Sequence, residues 1–244
     1  MKSKKEKYVY SVFQSIAGGY DRANRRISLL QHLSWKKKAA DVLCDPLPEG
    51  AEIVDIGCGT GDMLLSMAKK RPDFVLTGLD FSPNMLKVAK ERLKKVPDVK
   101  LIRGNALDMP FEDKSFDGGS ISFALRNTAD YRKALSEAYR VLKNGGRFVC
   151  IDSFVPENRL IKPFYEIYFS VLMPLLGGGI KKLKQYRWLT RSTADFISAA
   201  ELAKLMKSVG FTGIRVKEFM LGACVMVSGR VERKFGYKQK NEDA

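Results

Sequence analysis

The chain has 244 residues, of which 45% are hydrophobic and 29% are charged. This composition is typical of a soluble globular protein with a full core, and no internal repeat or low-complexity segment interrupts it. The length favours one domain over residues 1–244. The 43 basic residues exceed the 27 acidic ones and give a net charge of +16, which indicates an anionic partner: nucleic acid, an acidic membrane surface or an anionic substrate.

The cysteines and the hydropathy pattern indicate a cytoplasmic location. The chain has four cysteines, Cys44, Cys58, Cys150 and Cys224. They are too far apart in sequence to form a Cys-x-x-Cys metal or redox pair. The basic N-terminal residues have no apolar run behind them, so no secretory signal is expected. The nearest approach to a membrane span, residues 164–180, is interrupted by Glu166, Pro174 and glycines. We expect a cytoplasmic protein that contacts a membrane, if at all, as a peripheral one.

Residues 8–45 are predicted to form a helical cap in front of a sheet. Apolar residues recur at helical spacing from Val9 to Ile16, and two glycines end this helix. After a polar and basic stretch, a second helix capped by Ser34 is expected over residues 35–44. The cap either covers one end of the sheet or lines a substrate cleft.

From residue 51 onwards strands and helices alternate. Strands are predicted near 52–56, 74–79, 99–103, 116–121 and 146–152, with helices near 60–70, 83–95 and 129–142. Ser82 and Pro83 form a good N-cap and first position for the second helix. Gly146 and its neighbours are expected to end the third helix. This alternation predicts a doubly wound, mostly parallel α/β sheet whose ligands bind beyond the carboxyl ends of the strands.

The pattern changes after residue 152. Residues 160–176 are aromatic and aliphatic nearly all round, and a basic run from Lys181 to Lys184 follows three glycines. We interpret residues 157–200 as a helical lid inserted before the last two strands. An amphipathic helix over 199–209 and a terminal hairpin near 214–230 complete a seven-stranded sheet. The charged tail, residues 231–244, is expected to be frayed.

The stretch 52–62 predicts a ligand-binding turn. An apolar run forms a buried strand, and three alternate glycines, at positions 57, 59 and 61, turn it into a helix that begins near Thr60. Glycine lets the backbone approach a ligand closely, and the first N–H groups of the helix point at that ligand. Asp80 ends the second strand, where its carboxylate can accept both hydroxyls of a ribose.

The glycine spacing distinguishes two classes of cofactor. Dinucleotide-binding folds use Gly-x-Gly-x-x-Gly, whereas this chain has Asp55-x-Gly57-x-Gly59-x-Gly61. The pattern resembles the first motif of class I S-adenosylmethionine-dependent methyltransferases. A βα turn without a ligand is the alternative. Asp80 and the stretch 104–111, which follows the third strand, favour the methyltransferase.

Further motifs resemble one group in that class, the ubiquinone and menaquinone biosynthesis C-methyltransferases. The matching segments are Phe13-x-x-Ile-Ala-x-x-Tyr20-Asp21-x-x-Asn24, His32-x-x-Trp35-Lys36, Asn105-Ala106, Ile121-Ser122-Phe123-x-Leu125-Arg126-Asn127 and Tyr139-Arg140-Val-Leu-Lys-x-Gly-Gly146. They cover most of residues 8–152. The resemblance implies a Rossmann-like class I methyltransferase fold with residues 51–152 as the cofactor-binding core. It also implies S-adenosyl-L-methionine as cofactor and a prenylated quinol as the small-molecule acceptor.

The resemblance implies a set of site residues as well, and no metal site. Residues expected to surround S-adenosyl-L-methionine are Tyr20, Asp55, Gly57, Gly59, Thr60, Asp80, Phe81, Asn105, Ala106 and Ser122. Residues expected to face the quinol are Arg126, Asn127 and, again, Tyr20.

Methylation of a ring carbon requires that a neighbouring hydroxyl lose its proton, so the enzyme should stabilise a phenolate. Arg126 suits this role because its guanidinium stays protonated, which makes it an oxyanion partner and a poor base, with Asn127 orienting it. His32, the sole histidine, and Asp152, at the end of the fifth strand, are the candidate bases. The structural alternatives are a packed helix residue for His32, a loop bridge for Asp152 and a loop anchor for Arg126. Tyr165 and Tyr168 of the lid either contact an aromatic ring or belong to the core.

Three departures from the family pattern leave the acceptor open. Ala124 stands where the family usually has glycine, residues 151–154 read Ile-Asp-Ser-Phe in place of Leu-Glu-Phe-Ser, and the last hairpin lacks a histidine. We expect these positions near the substrate end, so methylation of a soluble phenolic compound is the alternative.

Two other functions are also considered. Nucleic-acid methylation fits the charge, but the chain has neither the Asn/Asp-Pro-Pro-aromatic motif nor a Pro-Cys nucleophile. A non-enzymatic nucleotide-binding module would keep the cleft without turnover. Contact with an anionic membrane surface and a homodimer are further expectations for the methyltransferase, because an apolar lid with a basic flank suits a greasy substrate.

Overall fold

The computed structural model describes residues 4–28, 30–168 and 183–233. Its strands are β1 (Glu52–Ile56), β2 (Val75–Asp80), β3 (Val99–Arg103), β4 (Phe116–Ser122), β5 (Leu142–Ser153), β6 (Phe211–Phe219) and β7 (Cys224–Val231). They form one seven-stranded sheet in the order β3-β2-β1-β4-β5-β7-β6. Strands β1 to β5 pair in parallel, and β7 runs antiparallel to both β5 and β6. The predicted doubly wound α/β sheet with two added strands is confirmed.

Helices precede, connect and follow these strands in the described part of the chain. They are α1 (Lys4–Ile16), α2 (Tyr20–Ile27), α3 (Gln31–Cys44), α4 (Asp62–Lys70), α5 (Pro83–Leu93), α6 (Tyr131–Val141), α7 (Lys162–Ile167), α8 (Leu183–Ala194) and α9 (Ala199–Val209). Short 3₁₀ turns lie at Ala17–Gly19, Leu125–Asn127 and Met220–Gly222. No helix among the described residues has both the length and the apolar character needed to cross a membrane.

The core consists of two apolar layers, one on each face of the sheet. Buried residues of α3, α4 and α5, such as Leu43 and Leu64, pack with Ile53 of β1. Buried residues of α6 and α9, such as Leu135, pack with Val54 on the opposite face. Since neighbouring residues of a strand point to opposite faces, a strand buried on both sides reads as a continuous apolar run.

The N-terminal cap differs from the prediction in its boundaries. The second helix of the cap begins at Gln31, not at Trp35, and Ser34 lies inside it and is not its N-cap. Leu30 precedes the helix in a left-handed conformation with φ of 67°. The polar stretch before it forms α2, whose basic residues lie on a helix that has no buried side chain. Half of the eight residues of this helix are charged, and its apolar side chains share one face but none of them is buried, so the stretch reads as polar.

The turn between α6 and β5 also differs from the prediction. The helix ends at Val141, and β5 begins directly at Leu142, before the glycines that were expected to end the helix. Gly145, with φ of 84°, instead lies within the strand, where the register against β4 shifts between Phe116 and Gly118. Glycine is commonly found at such bulges because it adopts positive φ without steric cost. By contrast, Ser82 caps α5 as predicted, accepting a hydrogen bond from Met85 N–H.

The predicted lid is described only at its two ends. Helix α7 and helix α8 lie within residues 157–200, whereas residues 169–182 lie outside the described part of the chain. The basic run from Lys181 to Lys184 therefore lies outside the described side chains. The frayed tail predicted for 231–244 is wrong at its start, because Val231 ends β7 and Arg233 donates hydrogen bonds to the carbonyls of Leu142 and Tyr139; residues 234–244 lie outside the described part of the chain. Tyr168, at the end of the first described piece, donates a hydrogen bond from its hydroxyl to the carbonyl of Ile27.

Candidate active site

The turn after β1 has the geometry that its glycines predict. Gly57, Gly59 and Gly61 all have positive φ, at 68°, 55° and 84°. The N–H of Gly57 donates to the carbonyl of Leu79 at 2.7 Å, which ties the turn to the end of β2. A Cβ atom on Gly57 would lie 2.6 Å from the Cβ of Ala124, whereas one on Gly59 would meet nothing within 4 Å. The turn thus has no room for a side chain at Gly57, whereas there is open space at Gly59.

This open space belongs to a cavity of about 310 Å³ at the carboxyl ends of the central strands. Eight of the ten predicted cofactor residues line this first cavity, and they are Tyr20, Gly57, Gly59, Asp80, Phe81, Asn105, Ala106 and Ser122. The switch point of a doubly wound sheet is where ligands bind, so the position is the one that the topology dictates.

Asp80 is buried in the wall of the first cavity and is fixed by the backbone. Its Oδ2 accepts a hydrogen bond from Gly59 N–H at 2.9 Å, and its Oδ1 accepts one from Ser82 N–H at 2.8 Å. Burial raises the pKa of this carboxyl from 3.8 to about 6, although the backbone donors oppose the shift. At neutral pH the group is therefore a carboxylate of fixed orientation, and each oxygen has a second lone pair for a ligand hydroxyl.

Two predicted cofactor residues, Asp55 and Thr60, lie outside the residues that line the first cavity. Asp55 accepts a hydrogen bond from the hydroxyl of Ser120 at 2.7 Å, and burial raises its pKa to about 7. The Thr60 hydroxyl donates to Asp21 at 2.6 Å, and Arg92 donates to the same hydroxyl at 2.9 Å. Thr60 therefore connects the turn to α2 and α5, whereas Asp55 connects β1 to β4.

A second cavity of about 630 Å³ adjoins the first. Tyr20 and Phe123 line both cavities and form the shared wall. The remaining lining is mainly apolar and comes from α2, α3, the lid and the last hairpin; it includes Ile27, Trp35, Ile161, Phe164, Tyr165, Tyr168, Met220 and Leu221. The two lid tyrosines thus line this cavity, and their contact with an aromatic ring stays a prediction.

Arg126 and Asp152 form a buried ion pair next to the second cavity. The guanidinium Nη1 of Arg126 donates to Asp152 Oδ1, and the backbone N–H of Arg126 donates to Oδ2 at 3.2 Å. Arg126 lines the second cavity, whereas Asp152 lines neither cavity. The Nε atom of Arg126 is buried and has no hydrogen-bond partner among the described residues. Asp152 is therefore placed to fix Arg126 and lies too deep to exchange a proton with a bound acceptor.

Asn127 lies on the other side of the shared wall from its predicted place. It lines the first cavity, not the second. Its Oδ1 accepts a hydrogen bond from Trp188 Nε1 at 3.1 Å, and its Nδ2 donates to the carbonyl of Phe123 at 3.3 Å. These bonds connect α8 to the loop after β4. Ala124, which was expected near the substrate end, likewise lines the first cavity.

His32 lines the second cavity within a polar cluster. Its Nδ1 lies 2.5 Å from the hydroxyl of Ser28, and its Nε2 lies 3.9 Å from Asp62, which also binds Lys36 at 3.1 Å. Burial, reinforced by Lys36, lowers the pKa of His32 to about 4. The imidazole is therefore neutral at pH 7, and it is a weak base.

Sequence reasoning missed two contributions to the cavities. Helix α1 provides Glu6, Val9 and Phe13 to the first cavity, although its apolar spacing indicated only a packed helix. Phe123 has a positive φ of 55°, and its ring lies between the cavities. Positive φ is rare for a bulky residue and marks backbone strain, which is concentrated at functional sites. The strand-four motif contained Phe123, but no sequence signal indicates its backbone conformation.

The fold and the adjoining cavities define a class I S-adenosyl-L-methionine-dependent methyltransferase. The chain matches the ubiE/COQ5 methyltransferase family over residues 1–230, and it belongs to that family. It is 40% identical over 242 residues to the demethylmenaquinone methyltransferase of Staphylococcus aureus strain JH9, a match that covers 98% of this chain and 96% of the relative. The predicted family, enzyme class and cofactor are confirmed.

Solved structures have the same fold. A SAM-dependent methyltransferase of Thermotoga maritima superposes with a TM-score of 0.64 at 25% identity, covering 91% of this chain and 99% of the other. The phosphoethanolamine N-methyltransferase 2 of Haemonchus contortus, solved in complex with S-adenosyl-L-methionine, has a TM-score of 0.61 at 18% identity and covers 82% of this chain and 53% of its own.

The first cavity fits this cofactor by its shape and its polar groups. Asp80 provides carboxylate oxygens suited to ribose hydroxyls. Ser122 lines the cavity, and its buried hydroxyl has no hydrogen-bond partner among the described residues. The space at Gly59 allows the backbone to be approached directly.

Proposed function

We propose that the protein methylates a ring carbon of a prenylated quinol, of the demethylmenaquinol type. The observation that carries the proposal is the shared wall of Tyr20 and Phe123, which joins a nucleoside-sized cavity to a larger apolar one. The family and the S. aureus relative support the same acceptor class. An aromatic ring suits a cavity lined by aromatic and aliphatic side chains.

Within this proposal Asp80, Ser122 and the glycine turn bind the cofactor, which supplies an activated methyl group on a sulfonium. The residues of the wall then align the acceptor carbon and exclude water, because an in-line displacement depends mainly on orientation. Asn127 contributes by fixing the loop that carries Arg126. The chain itself forms no covalent bond with the acceptor.

Arg126 stabilises the phenolate of the acceptor in this proposal. Its guanidinium is oriented by Asp152, and its buried Nε has no other hydrogen-bond partner among the described residues. A donor fixed in a low-dielectric cavity stabilises a developing oxyanion strongly. His32 contributes as a neutral hydrogen-bonding group, since a pKa of about 4 makes it too weak a base for a phenol. The proton leaves to solvent through the mouth of the cavity.

The mouth of the second cavity supports a membrane-derived acceptor. Three apolar side chains that line it are largely exposed: Phe164 at 74%, Leu221 at 68% and Met220 at 58%. Leu160 and Ile167, beside Phe164 in sequence, are exposed as well. Together with the net charge of +16, this apolar rim suits peripheral contact with an anionic bilayer from which a prenyl tail enters.

Transfer of labelled methyl to a panel of acceptors tests the reaction. The panel contains a reduced demethylmenaquinone with a short prenyl chain, a soluble catechol and tRNA, and the products are identified by mass. We expect carbon methylation of the quinol alone. Faster transfer to the catechol or to tRNA would contradict the proposal, and a reaction at oxygen would contradict the assigned chemistry.

Flotation with vesicles tests the membrane contact separately. Phe164→Ser and Leu221→Ser should reduce binding to vesicles that contain anionic lipid, whereas Val42→Ser should not. Val42 is a matched control because it is an exposed apolar residue on α3 that lines neither cavity. If the protein bound neutral and anionic vesicles equally well, its positive charge would have no part in the membrane contact.

A further inference from the structure

Helix α1 forms part of the wall of the first cavity and is fixed there by polar contacts. Glu6, Val9 and Phe13 line the cavity. At its C-terminal end, Gln14 Oε1 accepts hydrogen bonds from the Ser82 hydroxyl at 2.6 Å and from Asn84 N–H at 3.0 Å. The C-terminal end of α1 is therefore anchored to the start of α5, and Glu6 lies about two turns earlier on the same helix.

Glu6 contacts Asn105, a predicted cofactor residue, in this wall. The amide Nδ2 of Asn105 donates a hydrogen bond to Glu6 Oε1 at 2.9 Å. On the other side of the same amide, Oδ1 of Asn105 accepts a hydrogen bond from Leu107 N–H at 3.0 Å. Both Glu6 and Asn105 line the first cavity, so the amide is fixed at the surface that a ligand meets.

These two contacts determine which way the amide faces. An asparagine side chain carries a donor and an acceptor of almost equal size, and a flip exchanges them. An ionised carboxylate can only accept a hydrogen bond, and a backbone N–H can only donate one. A flipped Asn105 would point its oxygen at Glu6 and its NH₂ group at the N–H of Leu107, so that two repulsive contacts would replace two favourable ones.

We propose that Glu6 is a positioning residue that makes the first cavity selective for a 6-aminopurine. With Glu6 and Leu107 in place, the second lone pair of Asn105 Oδ1 is available to a donor, such as the 6-amino group of adenine. A 6-oxopurine presents an acceptor at that position, so its oxygen faces the amide oxygen and the second lone pair of Oδ1 has no donor. Buried polar groups discriminate strongly against a ligand that leaves them unpaired.

Calorimetry with two nucleosides tests this assignment without any methyl acceptor. The ligands are S-adenosylhomocysteine and its 6-oxo analogue, S-inosylhomocysteine, and the readout is the ratio of their dissociation constants. We expect wild-type protein to prefer the adenine compound by about tenfold or more. Glu6→Ala should reduce this ratio to about threefold, since only the N–H of Leu107 then opposes a flip of the amide. Glu6→Gln, which retains an acceptor, should keep most of the preference.

A double-mutant cycle distinguishes orientation of the Asn105 amide by Glu6 from a general disturbance of the wall of the first cavity. Aspartate at position 105 has no nitrogen to orient, so in Asn105→Asp the further change Glu6→Ala should leave the ratio unchanged or raise both affinities by removing a like charge. Lys7→Ala, on the exposed side of α1, is the control and should retain the wild-type ratio. Circular dichroism confirms that each variant is folded.

Two outcomes would overturn the assignment. One is an unchanged ratio in Glu6→Ala, and the other is an equal loss of selectivity from Glu6→Ala whether position 105 is Asn or Asp. Since no quinol is present, neither outcome bears on the proposed acceptor. Failure of the methyl-transfer assay would in turn leave the nucleoside ratio intact.

Discussion

Asp152 fixes Arg126 twice, through the guanidinium and through the backbone N–H of the same residue. Both side chains are buried, with Arg126 only 3% exposed. A buried charge pair is valuable mainly where it orients a group, since its contribution to stability is offset by desolvation. Here the pairing fixes the orientation of a guanidinium whose residue lines the second cavity.

Replacing Arg126 by lysine should slow methyl transfer while leaving the cofactor in place. Lysine keeps the positive charge but loses the planar fork, so it cannot bind Asp152 and a phenolate at the same time. We expect kcat to fall by about a hundredfold, the usual effect of removing an oxyanion donor. Affinity for S-adenosylhomocysteine, measured by calorimetry, should be unchanged. Wild-type turnover would reduce Arg126 to a structural role.

Asp80→Asn should weaken cofactor binding by about tenfold to a hundredfold, because hydrogen bonds to a charged acceptor contribute about 1.5–3 kcal/mol. Asparagine retains one oxygen, so one of the two N–H groups, of Gly59 or of Ser82, loses its acceptor and a modest loss of stability accompanies the loss of affinity. Thermal unfolding provides the control, and the affinity is measured by calorimetry. An unchanged dissociation constant would remove Asp80 from the cofactor site.

Alanine at two glycines of the same turn should have different effects. Both positions have positive φ, which costs an alanine about 1–2 kcal/mol. Gly57→Ala adds a clash with Ala124 and should lower the free energy of unfolding by about 3 kcal/mol or more. Gly59→Ala has no such clash, so it should fold and lose cofactor affinity, because its methyl group occupies the first cavity.

Chemical denaturation and calorimetry measure the two effects. We expect Gly57→Ala to have the lower free energy of unfolding of the two variants. We expect Gly59→Ala to be the more stable of the two and to bind the cofactor poorly. If Gly59→Ala bound the cofactor as wild type does, the backbone at residue 59 would not be part of the binding surface.

Asp55→Asn should change how stability depends on pH. The folded-state pKa is about 7 against an ordinary value of 3.8, so the folded protein binds the extra proton between these values. The contribution of Asp55 to the free energy of unfolding is therefore greatest below about pH 4, and it is lost as the pH rises to about 7. Between pH 5 and pH 8 the loss is about 3 kcal/mol for a shift of this size.

Denaturation of wild type and variant at both pH values isolates this contribution. His32 titrates in both proteins, so its contribution cancels in the difference. Asp80 interacts with Asp55 and titrates in the same range, so the measured change belongs to these two carboxyl groups together. The wild type should gain stability relative to Asp55→Asn as the pH is lowered from 8 to 5. A difference that does not change with pH would mean that Asp55 is ionised in the folded protein at pH 5.

The local parts of the fold and site were predictable from the sequence, and the parts that depend on packing were not. Glycine spacing reports backbone conformation directly, so the turn after β1 and the position of Asp80 were predicted correctly. Helix α2 is short and half of its residues are charged, so its apolar face was not recognised. Asn127 was expected to face the same cavity as Arg126, but adjacent residues of a 3₁₀ turn point in different directions. Asn127 lines the first cavity, and its hydrogen bonds join it to Trp188 and Phe123.

The contribution of α1 to the site was unpredictable for a related reason. Its spacing shows that Val9 and Val12 are buried, as they are. Periodicity does not show what the helix packs against, because that depends on elements far away in sequence such as the loop at Asn105. Glu6 was therefore not predicted as a site residue.

The wall that Tyr20 and Phe123 share has a consequence for inhibitor design. A compound that links an adenosine to a naphthol-like ring could occupy both cavities at once. Its second half would bind at an effective concentration in the millimolar range set by a short linker, so its affinity could exceed that of either half by 10² to 10⁴. Such a bisubstrate ligand would discriminate against methyltransferases that have the same nucleoside site and a different neighbour.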